Sequence, residues 1–342
     1  MRSSRARLVE RFPSLGAHEL LERFHPPKRF EGARFDTYVP SPDHPSQAEA
    51  LAAVERFVDP PVVPKRRFRR QAETAPPGLY LDGGFGVGKT HLLASLWHAA
   101  PGPKAYLTFA ELTSVIGFLG MDAAVAAFEA NRLLCIDEFE LDDVANTLMT
   151  VTFLRSVVPE GVRVAATSNA LPDRLGEGRF HAADFAREIA AIASWFEVVR
   201  IDGPDYRAKT RAEAEPFPPD ALDRFSVDGV TSDDDFDELL GHLRRVHPVQ
   251  FGALLDGVDT VLVRGLHPIA NQGDALLFVQ LVDELYDAQV AVAASGCPVE
   301  DLFPDTYRHG GYRKKYGRCE SRLSAMLAEA AASSAGGGPS LS

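Results

Sequence analysis

The sequence predicts an α/β fold in which a mostly parallel sheet is covered by helices on both faces, and three observations predict it. From Gly78 onward, short apolar runs alternate with longer amphipathic ones, as strands joined by crossover helices do. Two of the short runs, "RLLCID" and "VRVAATS", are apolar without alternation, which marks strands buried on both faces. The first run leads into "GGFGVGKTHLL" at 83–93, a glycine-rich turn that opens a helical pattern.

In chain order, residues 1–45 mix short helical runs with proline-rich connections such as "FHPPKRF". "PSQAEALAAVERFV" reads as a helix opened by a capping box of Ser46 and Glu49, with Leu51, Val54 and Val58 on one face. "DPPVVPKRRFRRQAETAPP" reads as an exposed connection. Strands are then predicted over "GLYLD", "KAYLT", "RLLCID", "VRVAATS" and "FEVVRI". The intervening helices cover 88–99, 110–130 with a break at 117–120, 143–157 and 183–194. After Tyr206 the polar, proline-bearing "AKTRAEAEPFPPDALDRF" marks a boundary near 208–224. Beyond it, "TVLVRG" and "VAVAAS" read as strands around the helix "DALLFVQLVDELYDAQ", whose Leu277, Leu281, Val282 and Leu285 share a face. "SSAGGGPSLS" reads as a disordered tail. The division expected is an N-terminal helical segment over 1–60, a core built on the glycine-rich turn over 61–207, a C-terminal α/β region over 208–330 and a tail over 331–342.

The totals narrow the function. With 342 residues the chain buries one large core or two modest ones. A formal charge of −12 argues against nucleic-acid binding by the body as a whole, because phosphate repels a net anion. Cys135, Cys297 and Cys319 are odd in number and form no CxxC pair, which disfavours a disulfide framework or a zinc site. The N-terminus has basic residues but no apolar stretch of signal-peptide length, and no run approaches the ~20 apolar residues that cross a bilayer. A cytoplasmic protein with at most peripheral membrane contact is expected.

The glycines explain themselves through phosphate. G-x-x-x-x-G-K-[ST] is filled by Gly83, Gly88, Lys89 and Thr90, with Gly84 and Gly86 as further bare positions and Phe85 and Val87 between them. Absent side chains let the backbone wrap a phosphate and adopt positive φ. Successive N–H groups and the positive end of the following helix then point at the same place. Lys89 would reach the β- and γ-phosphates of ATP, and the Thr90 hydroxyl would hold Mg²⁺. No base-reading motif separates ATP from GTP; Tyr38 is the one stacking candidate.

Hydrolysis needs more. In "RLLCIDEFELDD" an apolar strand ends in Asp137, which would join Thr90 in the Mg²⁺ shell, and Glu138 would serve as general base for water. "VRVAATSN" surfaces at Thr167, Ser168 and Asn169; Asn169 is the candidate that orients the lytic water, with Thr167 or Ser168 as alternatives. Arg179, Arg187 and Arg200 come next along the chain, and an arginine at a subunit edge can stabilise charge on a neighbour's γ-phosphate. Arg318 and Arg322 share a helix face, either as phosphate sensors or as solvated charges.

These motifs together resemble the AAA+ ATPases. "LLCIDEFELDD", "ATSNALPDRLGEGRF", "FEVVRIDGPDYR" and "FVQLVDELYDAQVAV" with "SRLSAML" are similar to the ZapE-type cell-division ATPases, whose mitochondrial relatives are the Afg-type (LACE-type) ATPases. The resemblance covers 35–327. It implies a P-loop NTPase of AAA+ type, with an N-terminal helical or extended segment and a C-terminal α/β part. It also implies ATP hydrolysis with Mg²⁺, a nucleotide-dependent homo-oligomer, and a protein partner. In bacteria that partner is the FtsZ division ring; in mitochondria the family is linked to turnover of membrane-complex subunits. By motif, 83–90 hold the nucleotide, Asp137 and Glu138 serve metal and water, and Asn169 is the sensor. Two departures stand out. "YLTFAELTSVIGF" replaces a His-Phe-His-type motif, and "GRFHAADFAREI" offers Arg179 and Arg187 as finger candidates at a shifted spacing. "GVGKTHLL" also resembles helicase loaders that bind single-stranded DNA, and an ATP-binding scaffold that does not hydrolyse is a third reading.

Other signals carry less. "KRRFRR" at 65–70 reads as a solvated face, or as a contact for anionic lipid, an acidic partner or nucleic acid. In "SDDDFDELL", Ser232 and Asp233 read as a helix cap rather than metal ligands, and the nearby His242 and His247 lack a coordinating context.

Overall fold

The computed structural model describes residues 5–58, 78–139, 144–169, 190, 193–205, 215–223, 225 and 229–335. The chain forms two compact units, Gly16–Lys209 and Met1–Leu15 with Thr210–Ser342. Residues 1–60, read from the sequence as one segment, are therefore divided between them.

The chain opens with the two-residue strand β1 (Arg5–Ala6), which belongs to the second unit. The Gly16–Lys209 unit then runs α1 (Ala17–Glu22), α2 (Pro45–Val58), β2 (Gly78–Gly83), α3 (Lys89–Ala99), β3 (Lys104–Thr108), α4 (Phe109–Leu119), α5 (Met121–Phe128), β4 (Leu133–Asp137), α6 (Val144–Val157), β5 (Arg163–Ser168) and β6 (Phe196–Ile201). Its sheet has the order β3-β4-β5-β2-β6, with every neighbouring pair parallel. The strand that leads into the glycine loop is thus flanked on both sides.

Burial on both faces is visible residue by residue. Leu79 and Leu81 of β2 pack with Ala50 and Val54 of α2 and Leu92 and Leu93 of α3. Tyr80, between them, points the other way and meets Phe139 and Phe196 edge-on at 6.2 and 5.7 Å. That arrangement removes any polar face and accounts for the continuous apolar run. The predicted break at 117–120 falls at Gly120, whose φ of 81° ends α4 before α5 begins. Thr108 opens α4 with a capping box, accepting from Glu111 N while Glu111 accepts from Thr108 N.

One cap differs from expectation. α2 begins at Pro45, so Ser46 lies inside the first turn; its hydroxyl accepts from Asp202 N at 2.9 Å, just beyond β6. Gln47 makes a parallel tie, donating to Asp202 O at 3.0 Å and accepting from Ser41 N at 2.8 Å. The polar start of α2 therefore fastens the helix to the sheet. The helix expected over 183–194 lies largely outside the described residues.

The second unit continues with α7 (Pro219–Asp223), β7 (Thr231–Asp235), α8 (Phe236–Leu243), α9 (Phe251–Leu254), β8 (Thr260–Leu266), α10 (Gln272–Asp287), β9 (Ala291–Gly296), α11 (Asp305–Arg308) and α12 (Arg313–Ala335). Its strands are parallel in the order β1-β7-β8-β9. Phe236, Phe251, Phe278, Leu281, Val292 and Tyr316 belong to one core. On α10, Leu281, Val282 and Leu285 are buried as expected, joined by Phe278 and Val279, while Leu277 is half-buried.

Three stretches of this unit depart from expectation. Ser232 and Asp233 do not cap a helix: they lie in β7, and Asp235 caps α8 by accepting from Asp237 N and Glu238 N at 3.0 and 3.3 Å. Arg318 and Arg322 both grip Asp283 at 2.7 Å, which ties α12 to α10 and commits them within the unit. α12 reaches Ala335, into the stretch read as a tail, and 336–342 lie outside the described residues. Among the described residues no single helix is long and apolar enough to cross a membrane.

Candidate active site

The site is built at the carboxyl ends of β2, β4 and β5, where a parallel sheet leaves a crevice. Gly83 ends β2 so close to β6 that a Cβ there would overlap the Ile201 carbonyl. Gly88, the residue before α3, has φ 93°, and a Cβ on it would stand 2.6 Å from the Tyr38 ring. Tyr38 is held over it by a hydrogen bond from its hydroxyl to Val87 O at 3.2 Å. Only bare backbone fits between that ring and the start of the helix.

Lys89 is the first residue of α3 and is buried. Its ammonium donates to Gly83 O at 2.7 Å, Gly84 O at 2.6 Å and Asn169 Oδ1 at 3.0 Å. Asn169 reaches it because β5 lies beside β2 in register, Asp82 opposite Ser168. Thr90 Oγ1 lies 3.4 Å from Asp137 Oδ1. Asp137 is itself anchored: Tyr106 donates to Oδ2 at 2.9 Å, and the Thr167 hydroxyl donates to Oδ1. Glu138 comes next with φ 53°, in the left-handed region that residues with a Cβ seldom occupy.

An ammonium and a hydroxyl beside a carboxylate thus meet at one glycine loop, and the strained backbone of Glu138 directly follows that carboxylate. The family described as AFG1-like ATPase matches residues 16–229 and 225–333. The chain belongs to the AFG1-like ATPase family. It is a P-loop AAA+ ATPase and binds nucleotide. It is 26% identical over 298 residues to the cell division protein ZapE of Escherichia coli K12, covering 74% of this chain and 78% of that one. An uncharacterized protein of Schizosaccharomyces pombe, C115.02c, is 23% identical over 332 residues, covering 73% and 72%. Among solved structures, domain III of the Thermotoga maritima replication initiation protein DnaA matches with a TM-score of 0.40 and 17% identity, over 52% of this chain and 70% of that one. The DnaC helicase loader matches with a TM-score of 0.38 and 21% identity, over 51% and 99%.

In this AFG1-like ATPase the donor set suits magnesium. Thr90 and Asp137 offer hard oxygens, and Mg²⁺ is held by one or two such ligands with phosphate and water supplying the rest. Among the described residues no group of three or more His, Cys, Asp or Glu is arranged to hold a metal ion.

Val87 is buried and Phe85 is 54% exposed. Gly84 and Gly86 complete the loop, Gly86 with φ 70°. Arg200 is exposed and paired with Asp202 at 2.9 Å. Arg179 and Arg187 lie outside the described residues. Thr167, an alternative for orienting water, instead turns its hydroxyl to Asp137 and accepts from Glu138 N at 3.0 Å.

Sequence reasoning missed Tyr106 and Asp82. Tyr106 left no local signal: only the pairing of Thr108 with Asp137 across β3 and β4, with the two-residue period, puts it on the face of that carboxylate. Asp82 is buried at the end of β2, where burial raises its carboxyl above the ordinary range while Arg200 and Lys89 oppose that rise.

Proposed function

We propose that Lys89, Thr90, Asp137, Glu138 and Asn169 form the hydrolytic centre, that 83–90 cradle ATP, and that turnover regulates or remodels a protein partner. The observation that carries this is the convergence of Lys89 on Asn169 and of Thr90 on Asp137. Lys89 exchanges its carbonyl partners for β- and γ-phosphate oxygens, so that both members of each new bond carry charge. That exchange also leaves the Asn169 amide to orient water. Glu138 takes a proton as the water oxygen bonds to the γ-phosphorus; the bond to the bridging oxygen breaks, and ADP and phosphate leave. A magnesium ion held by Thr90 and Asp137 would supply neutralisation of the phosphate charge.

The partner is inferred from likeness to ZapE, a cell division protein. The reading is that this chain acts in division on an FtsZ-type ring protein, assembling as a homo-oligomer when ATP is bound. Light scattering on Glu138→Gln, with and without ATP and with an FtsZ-type protein, tests both halves. The variant is expected to bind ATP, to lose turnover by ~10²–10⁴-fold, and to assemble and retain the ring protein only with ATP. Turnover that survives Glu138→Gln or Lys89→Ala defeats the hydrolytic assignment. Retention of the ring protein regardless of nucleotide, or no retention at all, defeats the coupling.

A further inference from the structure

We infer that Thr167 is a positioning residue for hydrolysis: one side chain sets both the carboxylate of Asp137 and the backbone that aims Glu138. This rests on the reading that Asp137 and Glu138 serve metal and water.

Strand register puts Thr167 in place. β4 and β5 are paired up to Ile136 opposite Ala166, so Thr167 stands where Asp137 should be paired next. There the ladder changes character. Thr167 O accepts from Phe139 N at 2.7 Å, one residue further on than the next rung calls for. The hydroxyl of Thr167, a residue only 1% exposed, donates to Asp137 Oδ1 and accepts from Glu138 N at 3.0 Å. A hydroxyl has one proton to give and two lone pairs, so it can serve a carboxylate and an amide at once. No apolar residue of the same shape can do either.

That pair of bonds explains how Glu138 persists at φ 53°. A residue with a Cβ stays in such a conformation only where its surroundings over-determine it. The N–H of Glu138 is shared between the Thr167 hydroxyl at 3.0 Å and Asp137 Oδ1 at 3.1 Å, an oxygen that the same hydroxyl holds, and the N–H of Phe139 goes to the Thr167 carbonyl. Phe139 is further pinned in the core, edge-on to Tyr80 and to Phe109. The turn is therefore held from both ends, and the direction in which Glu138 leaves the sheet is decided at Thr167.

Tyr106 provides the internal contrast. Its hydroxyl holds the other Asp137 oxygen, Oδ2, at 2.9 Å. Removing that bond disturbs the proposed metal ligand and leaves both Thr167 ties to the turn in place.

The test is steady-state ATP hydrolysis by the full chain, with ATP affinity measured separately and turnover expressed per nucleotide-binding molecule, so that a less stable variant is still read. Thr167→Val is expected to lower kcat by ~10–100-fold, the range for loss of a supporting contact around a site, with ATP affinity unchanged. Thr167→Ser, which keeps the hydroxyl, restores most of the rate. Tyr106→Phe raises the Mg²⁺ concentration for half-maximal rate while kcat recovers at saturating Mg²⁺. If Thr167→Val does not fold, Thr167→Ala takes its place. Wild-type kcat in Thr167→Val, or a loss that Thr167→Ser shares in full, overturns the inference. Hydrolysis that survives Glu138→Gln overturns the underlying reading instead, so the two failures are told apart.

Discussion

In the Gly16–Lys209 unit the carboxyl ends of β2, β4 and β5 bring Asp82, Asp137 and Asn169 around a loop of nearly bare backbone. In the second unit the carboxyl ends of β7 and β8 carry charges that are matched on the spot. Arg264 of β8 holds Asp233 of β7 at 2.6 and 3.0 Å and Asp223 at 2.7 Å, and Asp235 caps the N-terminus of α8. β9 closes the same end: a Cβ on Gly296 would overlap the Leu266 backbone. Both units are parallel sheets with helices between the strands, yet among the described residues only the first sets an ammonium at the mouth of a glycine loop. The architecture is shared, and the chemistry lives in the turn that each strand runs into.

The largest effect that would sharpen this contrast comes from one methyl group placed twice. Gly88 and Gly265 both have positive φ, 93° and 78°. Around Gly265 a Cβ meets nothing within 4 Å, whereas at Gly88 it meets Tyr38. Gly265→Ala therefore costs only the backbone strain, about 1–2 kcal/mol. Gly88→Ala adds a collision with a ring held in place by Val87 O, and it shifts the first turn of α3, the proposed seat of the phosphates. ATP affinity is expected to fall by ~100-fold or more in Gly88→Ala and to be unchanged in Gly265→Ala, as titration calorimetry reads directly. Equal losses in both would mean that the loop is not what separates the units.

Much of the first unit was legible because burial writes itself into periodicity. "KAYLT" coincides with β3, "RLLCID" contains the wholly buried β4, and Gly120 breaks the helix pair where the glycines suggested. The loop was legible because its chemistry is local, eight residues that fold on themselves. β7 was not. "TSDDD" has no apolar residue, and what makes it a strand is remote: Arg264 for Asp233, and the backbone N–H groups of Leu8 and Val9, 3.0 and 3.3 Å from Asp234. Tyr106 was hidden for the same reason, since its partner Asp137 is a neighbour across the sheet and not along the chain. Long-range pairing of polar groups leaves no local trace.

A middle-sized effect is expected where the second unit neutralises its own charges. Arg264→Met keeps the apolar stem and removes the fork that grips Asp233 and Asp223. Breaking a fully buried pair costs about 3–5 kcal/mol, but the Arg264 side chain is 29% exposed, so solvent screens part of the loss. A cost of about 1–3 kcal/mol is expected, seen as faster hydrogen exchange of the β7 and β8 amides, with ATP affinity as in the wild type. A fall in ATP affinity without a fall in protection would place ligand chemistry at this end of the second sheet as well.

The smallest effect is a pH dependence of the second unit. Burial lowers the pKa of His242 from 6.5, and Arg245, whose Nη2 lies 3.4 Å from His242 Nδ1, adds to the depression. A backbone hydrogen bond to Arg11 and the charge of Asp234 oppose it, and the Phe12 ring covers the imidazole edge-on at 4.8 Å. His247 is lowered as well, by burial. The native unit therefore prefers both rings neutral, while the unfolded chain takes up protons near 6.5. Below that pH the unfolded state binds more protons, so stability falls as pH drops from 6.5 towards the depressed native values, by at most about 1.4 kcal/mol per pH unit for each histidine. Asp234 acts with the opposite sign in a lower window. Burial raises its pKa above 3.8, so the native state gains protons first, and stability rises as pH falls through the raised value. His267, whose pKa is raised by its bonds to Pro268 and Asp237, offsets part of this loss, so denaturant unfolding at pH 7, 6 and 5 is expected to show a shallow decline that His242→Leu flattens in part. A decline left intact by that substitution would move its origin away from the core beneath Phe12.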